Sequence, residues 1–260
     1  MHFRNLTLDP VVVEASAPLS EVAEALTRCG GGRHLPVLDG GRLLGVVTRE
    51  SVDDQGVLRD GVWLGWGKAQ VARDLVTIVP QVGAHGLDEA LDALLDHPCA
   101  LIVDDEGGLL GLMTEHDGVR IALDQCPPDQ SARSIASAPV RTVDADELAC
   151  KAARQMDWHH TRHLVIVDEG QPLGVVSERD LVAEGVDQGR QLTVREVWRE
   201  RPFVSVPEDA LLVDVAQQML DEHIGCVPLV DGAGRPVAIL SRRDLVRFAL
   251  GSRSERGALG

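Results

Sequence analysis

Hydrophobic and polar residues alternate along the chain in a pattern that predicts short strands and amphipathic helices. Apolar runs such as 164–167 and 227–230 each end at an aspartate, which is typical of a buried strand that leads into a turn. Before the first of these runs, Leu148, Ala152 and Met156 recur at the spacing of one helix face. The pattern therefore predicts a chain in which helices and strands are mixed.

The same order of elements occurs four times. Four segments end in similar sequences, which are LGVVTRES at 44–51, LGLMTEHD at 110–117, LGVVSERD at 173–180 and VAILSRRD at 237–244. The hydroxyl residues of these endings are 66, 63 and 64 residues apart, and a fixed spacing of this kind is the mark of a repeat architecture. We therefore predict an α+β fold of four β-α-β-β-α repeats, at about 5–56, 70–124, 133–187 and 193–250.

Polar and proline-containing segments suggest how the repeats are grouped. A repeat of about 60 residues buries too little surface to be robust alone, so we expect the repeats to pack in pairs. The sequence CPPDQS at 126–131 combines two prolines with polar residues and is predicted to be a linker. We therefore place the first pair in residues 1–127 and the second pair in residues 128–260, with residues 251–257 as a mobile tail.

The sequence also indicates where two of the helices start and where one repeat contains an insert. Asp144 in the third repeat and residues 207–209 in the fourth repeat are typical of helix starts. Residues 52–70 have no counterpart in the other repeats. We expect their tryptophans, Trp63 and Trp66, either to cover a cleft by stacking or to anchor this insert to the core.

The composition excludes several classes of function. The 41 acidic residues exceed the 25 basic ones, which argues against nucleic acid or an anionic membrane surface as a partner. No apolar run is long enough to span a bilayer, and the first residues do not resemble a signal peptide. The five cysteines are widely spaced and include no CxxC pair, so we expect neither a disulfide framework nor a zinc site. These features favour a reducing, cytoplasmic location.

The repeat resembles the CBS domain, which is named after cystathionine β-synthase, over nearly the whole chain from about residue 5 to residue 250. The resemblance implies that two repeats pair into a Bateman module with two clefts. It implies regulatory binding of an adenosine-containing ligand: AMP, ADP, ATP, S-adenosylmethionine, NAD or cyclic di-adenylate. It also implies that no cofactor is required, that an unidentified protein is regulated, and that the modules form a homodimer or an intramolecular disc.

The Ser/Thr-x-x-Asp ending of the repeats suits such a ligand. A hydroxyl at the N-cap and a carboxylate three residues later lie together at a helix N-terminus. There the carboxylate can accept hydrogen bonds from both hydroxyls of a ribose, and the free backbone N–H groups can face a phosphate. The same pair is also an ordinary capping arrangement, so one copy alone is compatible with a purely structural role. The predicted ribose and phosphate ligands are Thr114, Asp117, Ser177, Arg179, Asp180, Ser241, Arg243 and Asp244.

The resemblance further implies which residues lie on the adenine side of the clefts. These are Thr142, Thr161, Arg162, His163, Ser205, Gly225 and Cys226. The first repeat has Ser51 in place of the aspartate, so we expect the third and fourth repeats to form the better site. His159, His160 and His163 could be read as metal ligands, but no acidic or thiol partner is evident, and we expect them to face solvent or line a pocket.

Two other functions remain open at this stage. The repeats could form a scaffold for oligomerisation or partner binding in which the nucleotide sites are vestigial. An enzyme is disfavoured because the four repeats use the whole length and no G-x-S-x-G, P-loop or HExxH motif occurs. We therefore predict a protein without catalytic residues.

Overall fold

The computed structural model describes residues 7–8, 10–29, 33–59, 62–186, 190–198 and 203–257. These residues form a mixed α/β structure in which the order β-α-β-β-α occurs four times. The chain divides into two compact units, one made of residues 1–122 with 246–260 and the other of residues 123–245. The first unit contains the first two repeats, and the second unit contains the third and most of the fourth.

The first unit contains two repeats, a preceding strand and an inserted hairpin. Strand β1 (Thr7–Leu8) precedes the first repeat, which consists of β2 (Val13–Glu14), α1 (Leu19–Arg28), β3 (His34–Asp39), β4 (Arg42–Thr48) and α2 (Arg49–Asp53). The hairpin consists of β5 (Gly56–Arg59) and β6 (Val62–Gly65). The second repeat consists of β7 (Gln81–Gly83), α3 (Leu87–Ala93), β8 (Cys99–Val103), β9 (Leu109–Thr114) and α4 (Glu115–Gln125).

The second unit has the same plan. The third repeat consists of β10 (Thr142–Asp144), α5 (Ala149–His159), β11 (His163–Asp168), β12 (Gln171–Ser177) and α6 (Glu178–Ala183). A short helix, α7 (Val194–Trp198), leads to the fourth repeat, which consists of β13 (Val206–Pro207), α8 (Leu212–Asp221), β14 (Cys226–Val230), β15 (Pro236–Ser241) and α9 (Arg242–Gly257). Helix α9 continues past the end of this unit, because residues from Val246 onward belong to the first.

Each repeat folds its three strands into one small sheet. The first strand is parallel to the second, and the second and third form an antiparallel hairpin. In every hairpin the first residue of the second strand lies opposite the hydroxyl residue that ends the third strand. The four opposed pairs are His34 with Thr48, Cys99 with Thr114, His163 with Ser177 and Cys226 with Ser241.

The segment that precedes a repeat joins the sheet of the other repeat in its unit. In the first unit, β1 pairs with β9, and Thr77 forms an isolated bridge with Val46 of β4. In the second unit, Ser137 and Ile239 of β15 exchange backbone hydrogen bonds of 2.9 and 3.0 Å. These exchanged segments connect the first repeat to the second and the third repeat to the fourth through backbone hydrogen bonds.

The predicted helix starts are wrong by several residues in the third and fourth repeats. Helices α5 and α8 begin after Leu148 and Leu211, which are both extended. Tertiary pairing holds these leucines extended, since Leu148 bridges Thr193 and Leu211 bridges Ser131. The Asp144 carboxylate instead accepts the Asp146 N–H at 2.9 Å and stabilises a turn.

The segment predicted to be a tail has a helical backbone, since residues 251–257 continue helix α9 as far as Gly257. Among the residues described, no helix combines the length and hydrophobicity that a membrane span requires.

The insert of the first repeat is anchored by one of its two tryptophans. Trp63 is partly buried, packs against the core of the first repeat and lies across Gly56, where an added Cβ would come within 2.4 Å of the indole ring. Trp66 is 65 % exposed and donates its indole N–H to the Asp54 carbonyl at 3.1 Å.

Candidate functional site

The endings of the third and fourth repeats form two helix caps of the same design. In the third repeat, Oδ2 of Asp180 accepts hydrogen bonds from the Ser177 N–H at 2.8 Å and the Ser177 hydroxyl at 2.6 Å. In the fourth, Oδ2 of Asp244 accepts from the Ser241 N–H at 2.8 Å and the Ser241 hydroxyl at 2.5 Å. Each aspartate N–H lies 3.3 Å from the same serine oxygen, which completes a reciprocal cap. The caps fix both carboxylates at helix N-termini.

The two carboxylates differ in their surroundings. Asp180 is partly exposed, whereas Asp244 is 6 % exposed. The second carboxylate oxygen of Asp244, Oδ1, accepts a hydrogen bond of 3.0 Å from the hydroxyl of Ser137, a residue of the segment that precedes the third repeat. The fourth-repeat cap is thus built from both repeats of the unit.

The caps of the first unit are less complete. In the second repeat, Thr114 donates its N–H and hydroxyl to Oδ2 of Asp117 at 2.8 and 2.9 Å. Asp117 is 5 % exposed, and burial raises the pKa of its carboxyl group although the Thr114 hydrogen bonds and Arg120 act against this. In the first repeat, Thr48 and Ser51 cap each other without a charge.

His163 and Cys226 occupy equivalent positions, each at the start of the second strand of its repeat. The carboxylates of both Asp180 and Asp244 act electrostatically on the pKa of each side chain. The pKa of His163 is lowered to about 4, chiefly by burial and also by Arg162, while the two carboxylates act in the opposite direction. Burial raises the pKa of Cys226 to about 12, against a lowering by Arg242. At pH 7 the imidazole is therefore neutral and the thiol protonated. The third and fourth repeats bring all four groups into one electrostatic neighbourhood.

Cationic side chains surround this neighbourhood. Arg162 and Arg179 are exposed, and their charges lower the pKa of His163. Arg242 and Arg243 are partly buried at the start of α9. Guanidinium groups beside helix N-termini are well suited to an anion such as phosphate. In the first repeat, by contrast, Arg49 donates to the Leu26 carbonyl at 2.7 Å and has a structural role at the end of α1.

Of the residues predicted to face adenine, some lie beside the two caps and others do not. Thr161 donates its hydroxyl to the His163 carbonyl at 3.2 Å, and Gly225 accepts the Arg242 N–H at 3.0 Å, so both lie beside the caps. Thr142 accepts from Gln155 through its carbonyl at 3.0 Å, and Ser205 is exposed before β13. In the part of the chain described, neither Thr142 nor Ser205 has a hydrogen bond to a cap.

A cleft of about 480 Å³ lies on the third repeat between α5 and α6. Two of the predicted adenine-side residues, Thr161 and Arg162, line it together with Glu178, and apolar side chains such as Met156 and Leu181 complete its wall. Its volume is within the range of small-ligand sites. His160 also lines this cleft. No group of three or more potential metal ligands occurs among the described residues.

Sequence reasoning missed Ser137, which is 107 residues from its partner Asp244. A signal for it exists in the chain, because hydroxyl residues also stand before the first strand at Thr7 and Thr77. Thr7 and Thr77 both pair with the sheet of the neighbouring repeat, as Ser137 does. The recurrence of a hydroxyl at this position could have indicated a shared role.

Comparison with known proteins finds relatives that match part of the chain. An uncharacterised protein of Methanopyrus kandleri is 31% identical over 121 residues, which are 45% of this chain and 61% of that protein. An uncharacterised protein of Methanocaldococcus jannaschii is 25% identical over 177 residues, which are 62% of this chain and 63% of that protein. The chain thus spans about three fifths of the length of each of these two relatives.

Two solved structures share the fold over most of their length. The crystal structure of a Methanocaldococcus jannaschii protein, proposed to be an archaeal homologue of g-AMPK, superposes with a TM-score of 0.67 at 20% identity and covers 92% of this chain and 96% of its own. An uncharacterised conserved protein of Pyrococcus horikoshii gives 0.65 at 20% identity and covers 96% and 100%.

A match to a family model identifies the family, which structural similarity at 20% identity does not. The model of the CBS domain matches three segments, residues 4–54, 132–187 and 194–251, which together make up more than half of the chain. The second repeat lies outside these segments but has the same order of elements and the same capped helix start. The chain therefore belongs to the CBS domain family.

Proposed function

We propose that this chain is a non-enzymatic regulatory protein that binds an adenosine-containing ligand in its third and fourth repeats. The ligand would be AMP, ADP, ATP, S-adenosylmethionine or NAD, and the repeats would act as two Bateman modules, residues 1–127 and 128–260. The observation that carries this proposal is the pair of Ser-x-x-Asp caps, whose two carboxylates both act on His163 and Cys226.

The chemistry of these groups suits a nucleoside with an anionic substituent. A carboxylate held at a helix N-terminus accepts hydrogen bonds from vicinal hydroxyls, so Asp180 and Asp244 are the proposed ribose ligands. The serine hydroxyls and the guanidinium groups of Arg179 and Arg243 would contact phosphate or another anionic group. Neutral His163 can donate or accept a hydrogen bond without adding charge next to the ribose.

Regulation would follow from the exchanged segments. Ser137 belongs to the segment before the third repeat, yet it hydrogen-bonds the cap of the fourth repeat. A ligand that accepts or displaces this hydrogen bond contacts both repeats at once and favours one relative arrangement of them. Such a bias is a shift of population between conformations, which an unidentified protein partner would detect.

A thermal-shift panel with AMP, ADP, ATP, S-adenosylmethionine and NAD tests the proposal. A ligand at about 100 times its dissociation constant stabilises the folded state by about 2.7 kcal/mol, which raises the melting temperature measurably. We expect Asp180→Asn and Asp244→Asn to reduce or abolish the shift, because asparagine keeps an acceptor for the cap but loses the charge.

Glu196→Gln is the matched control. Glu196 caps α7 in the same way, since its Oε2 accepts from the Thr193 N–H and hydroxyl at 2.8 and 2.9 Å. The substitution removes the same charge from a cap outside the proposed site, so it should leave the ligand-induced shift unchanged. A double variant Asp180→Asn/Asp244→Asn that kept the full shift would refute the assignment of the site.

A scaffold with vestigial sites is the second candidate function. It is favoured by the burial of Asp117 and Asp244, whose carboxylates already accept hydrogen bonds from the chain itself. In that case no ligand of the panel would shift the melting temperature, and the caps would serve only to stabilise their helices.

A further inference from the structure

The hairpin β5–β6 distinguishes the first repeat from the other three, and its two faces differ. Leu58 and Trp63 lie directly opposite each other and pack against the core of the first repeat. Side chains alternate between the two faces of a strand, so the neighbouring positions point away from the core. The hairpin therefore has one face that is anchored and one that is turned outward.

The outward face is apolar. Val62 and Leu64 of β6 and Trp66, which directly follows the strand, lie at alternate positions and are 58%, 48% and 65% exposed. Val57 and Arg59 lie opposite Leu64 and Val62 and share this face. A contiguous apolar row on a monomer surface is a mark of an interaction site.

The outer edge of β6 offers backbone groups as well. The Trp66 N–H donates to the Gln55 carbonyl at 2.8 Å, so the backbone groups of Leu64 face β5. By alternation, the N–H and C=O groups of Trp63 and Gly65 point to the outer edge. Among the described residues this sheet has two strands, and no further strand pairs with β6. A two-stranded ribbon is only marginally stable in water, and an exposed edge tends to pair with another chain.

We propose that a second copy of this chain adds its own β6 to this edge, antiparallel about a two-fold axis at Leu64. Trp63 of each copy then exchanges backbone hydrogen bonds with Gly65 of the other, and the two hairpins become one four-stranded sheet. Leu64 packs against its own equivalent, and Val62 packs against Trp66 of the second copy. The contact is closed and self-complementary, as a two-fold interface requires.

The charges at the two ends of the hairpin agree with this arrangement. Arg59 lies opposite Val62 at one end, whereas Trp66 at the other end is bonded to the backbone of Asp54, next to Asp53. The two-fold axis brings the Arg59 end of one hairpin beside the acidic end of the other. The positive charge of Arg59 and the negative charges of Asp53 and Asp54 of the second copy then lie at the same end of the four-stranded sheet. This charge complementarity identifies a second copy as the occupant.

Size-exclusion chromatography with light scattering on the full chain tests the interface. We expect the unmodified chain to form a dimer whose population rises with concentration. Leu64→Glu and Leu64→Lys should each be monomeric, because each places two like charges on the two-fold axis. An equimolar mixture of the two variants should recover the dimer, because glutamate then faces lysine. Ile78→Glu changes another exposed residue of the first unit, 82% exposed, and should stay dimeric.

Several results would overturn the proposal. These are an unmodified chain that is monomeric at every concentration, a Leu64→Glu chain that dimerises like the unmodified one, and a mixture that remains monomeric. Far-ultraviolet circular dichroism and the melting temperature of each variant establish that it is folded, which the exposure of Leu64 leads us to expect.

Discussion

At the scale of single residues, the most informative group is His163. It stands at the start of β11 opposite Ser177, and burial is the main reason that its pKa falls to about 4. The equivalent position in the fourth repeat is Cys226, whose thiol is protonated for the same reason. Both side chains are therefore uncharged at neutral pH, so the positive charges of this region are those of its arginines.

The lowered pKa of His163 predicts a pH dependence of stability. The folded-state pKa lies below the unfolded value of about 6.5, so the unfolded chain binds more protons between these two values. Stability from this group is complete above about pH 6.5 and is lost as the pH falls toward 4, with a slope of at most about 1.4 kcal/mol per pH unit. The free energy of unfolding, measured with denaturant between pH 7 and 5, should fall less steeply with decreasing pH for His163→Gln than for the unmodified chain.

His159→Gln provides the comparison for this measurement, since His159 is exposed at the end of α5. Its unfolding free energy should follow the pH as that of the unmodified chain does. If His163→Gln also retained the full slope, the burial of the neutral imidazole would not be the cause.

The site residues show which parts of such a site a sequence can predict. The Ser177–Asp180 and Ser241–Asp244 caps span three residues, and their chemistry is local, so their spacing was sufficient to predict them. The Ser137–Asp244 hydrogen bond depends on a segment that crosses to the neighbouring sheet. The sign of that crossing in the sequence is the recurrence of a hydroxyl residue at Thr7, Thr77 and Ser137, which a single repeat does not show.

At the scale of elements, the packing of α7 on β12 connects the fourth repeat to the third. Trp198 at the end of α7 lies against Gly174, where an added Cβ would come within 2.3 Å of the indole ring. A side chain in this place forces either the indole or the strand to move.

We therefore expect Gly174→Ala to destabilise the second unit by about 1–3 kcal/mol, as overpacking of a filled core does. Denaturant unfolding measures this change. Gly83→Ala, on a strand where an added Cβ meets nothing within 4 Å, should change stability by no more than about 0.5 kcal/mol.

The cause is tested by combining Gly174→Ala with Trp198→Leu. Because a smaller side chain removes the clash, the two substitutions should be strongly non-additive. Additive effects would show that the indole does not limit the space at Gly174.

The helix boundaries show where sequence patterns fail at this scale. Asp144 has the chemistry of a cap, but α5 starts only at Ala149, after Leu148 is held extended by Thr193. The order of strands and helices was predicted because the repeat encodes it four times. The exact starts depend on pairing between distant segments.

At the scale of the whole molecule, the division into two units predicts two thermal transitions. Exchanged segments join the strands of each repeat pair, whereas α9 of the fourth repeat belongs to the first unit from Val246 onward. Differential scanning calorimetry should therefore resolve two transitions. Leu91→Ala, in the first unit, should lower the temperature of one transition, and Met219→Ala, in the second unit, should lower that of the other. Both side chains are fully buried, so each substitution leaves a cavity.

An adenosine-containing ligand should raise only the transition that Met219→Ala lowers. This result would place binding in the unit that contains the third and fourth repeats. A ligand that raised the transition sensitive to Leu91→Ala would instead place it with the Thr114–Asp117 cap of the second repeat.

The most direct measurement of the central claim is native mass spectrometry of the full chain with each adenosine-containing ligand in turn. For at least one of these ligands, we predict that the unmodified chain and Glu196→Gln gain the mass of the bound ligand. The double variant Asp180→Asn/Asp244→Asn should gain no mass. An unmodified chain that retained none of the ligands, or a double variant that retained the adduct, would contradict the account.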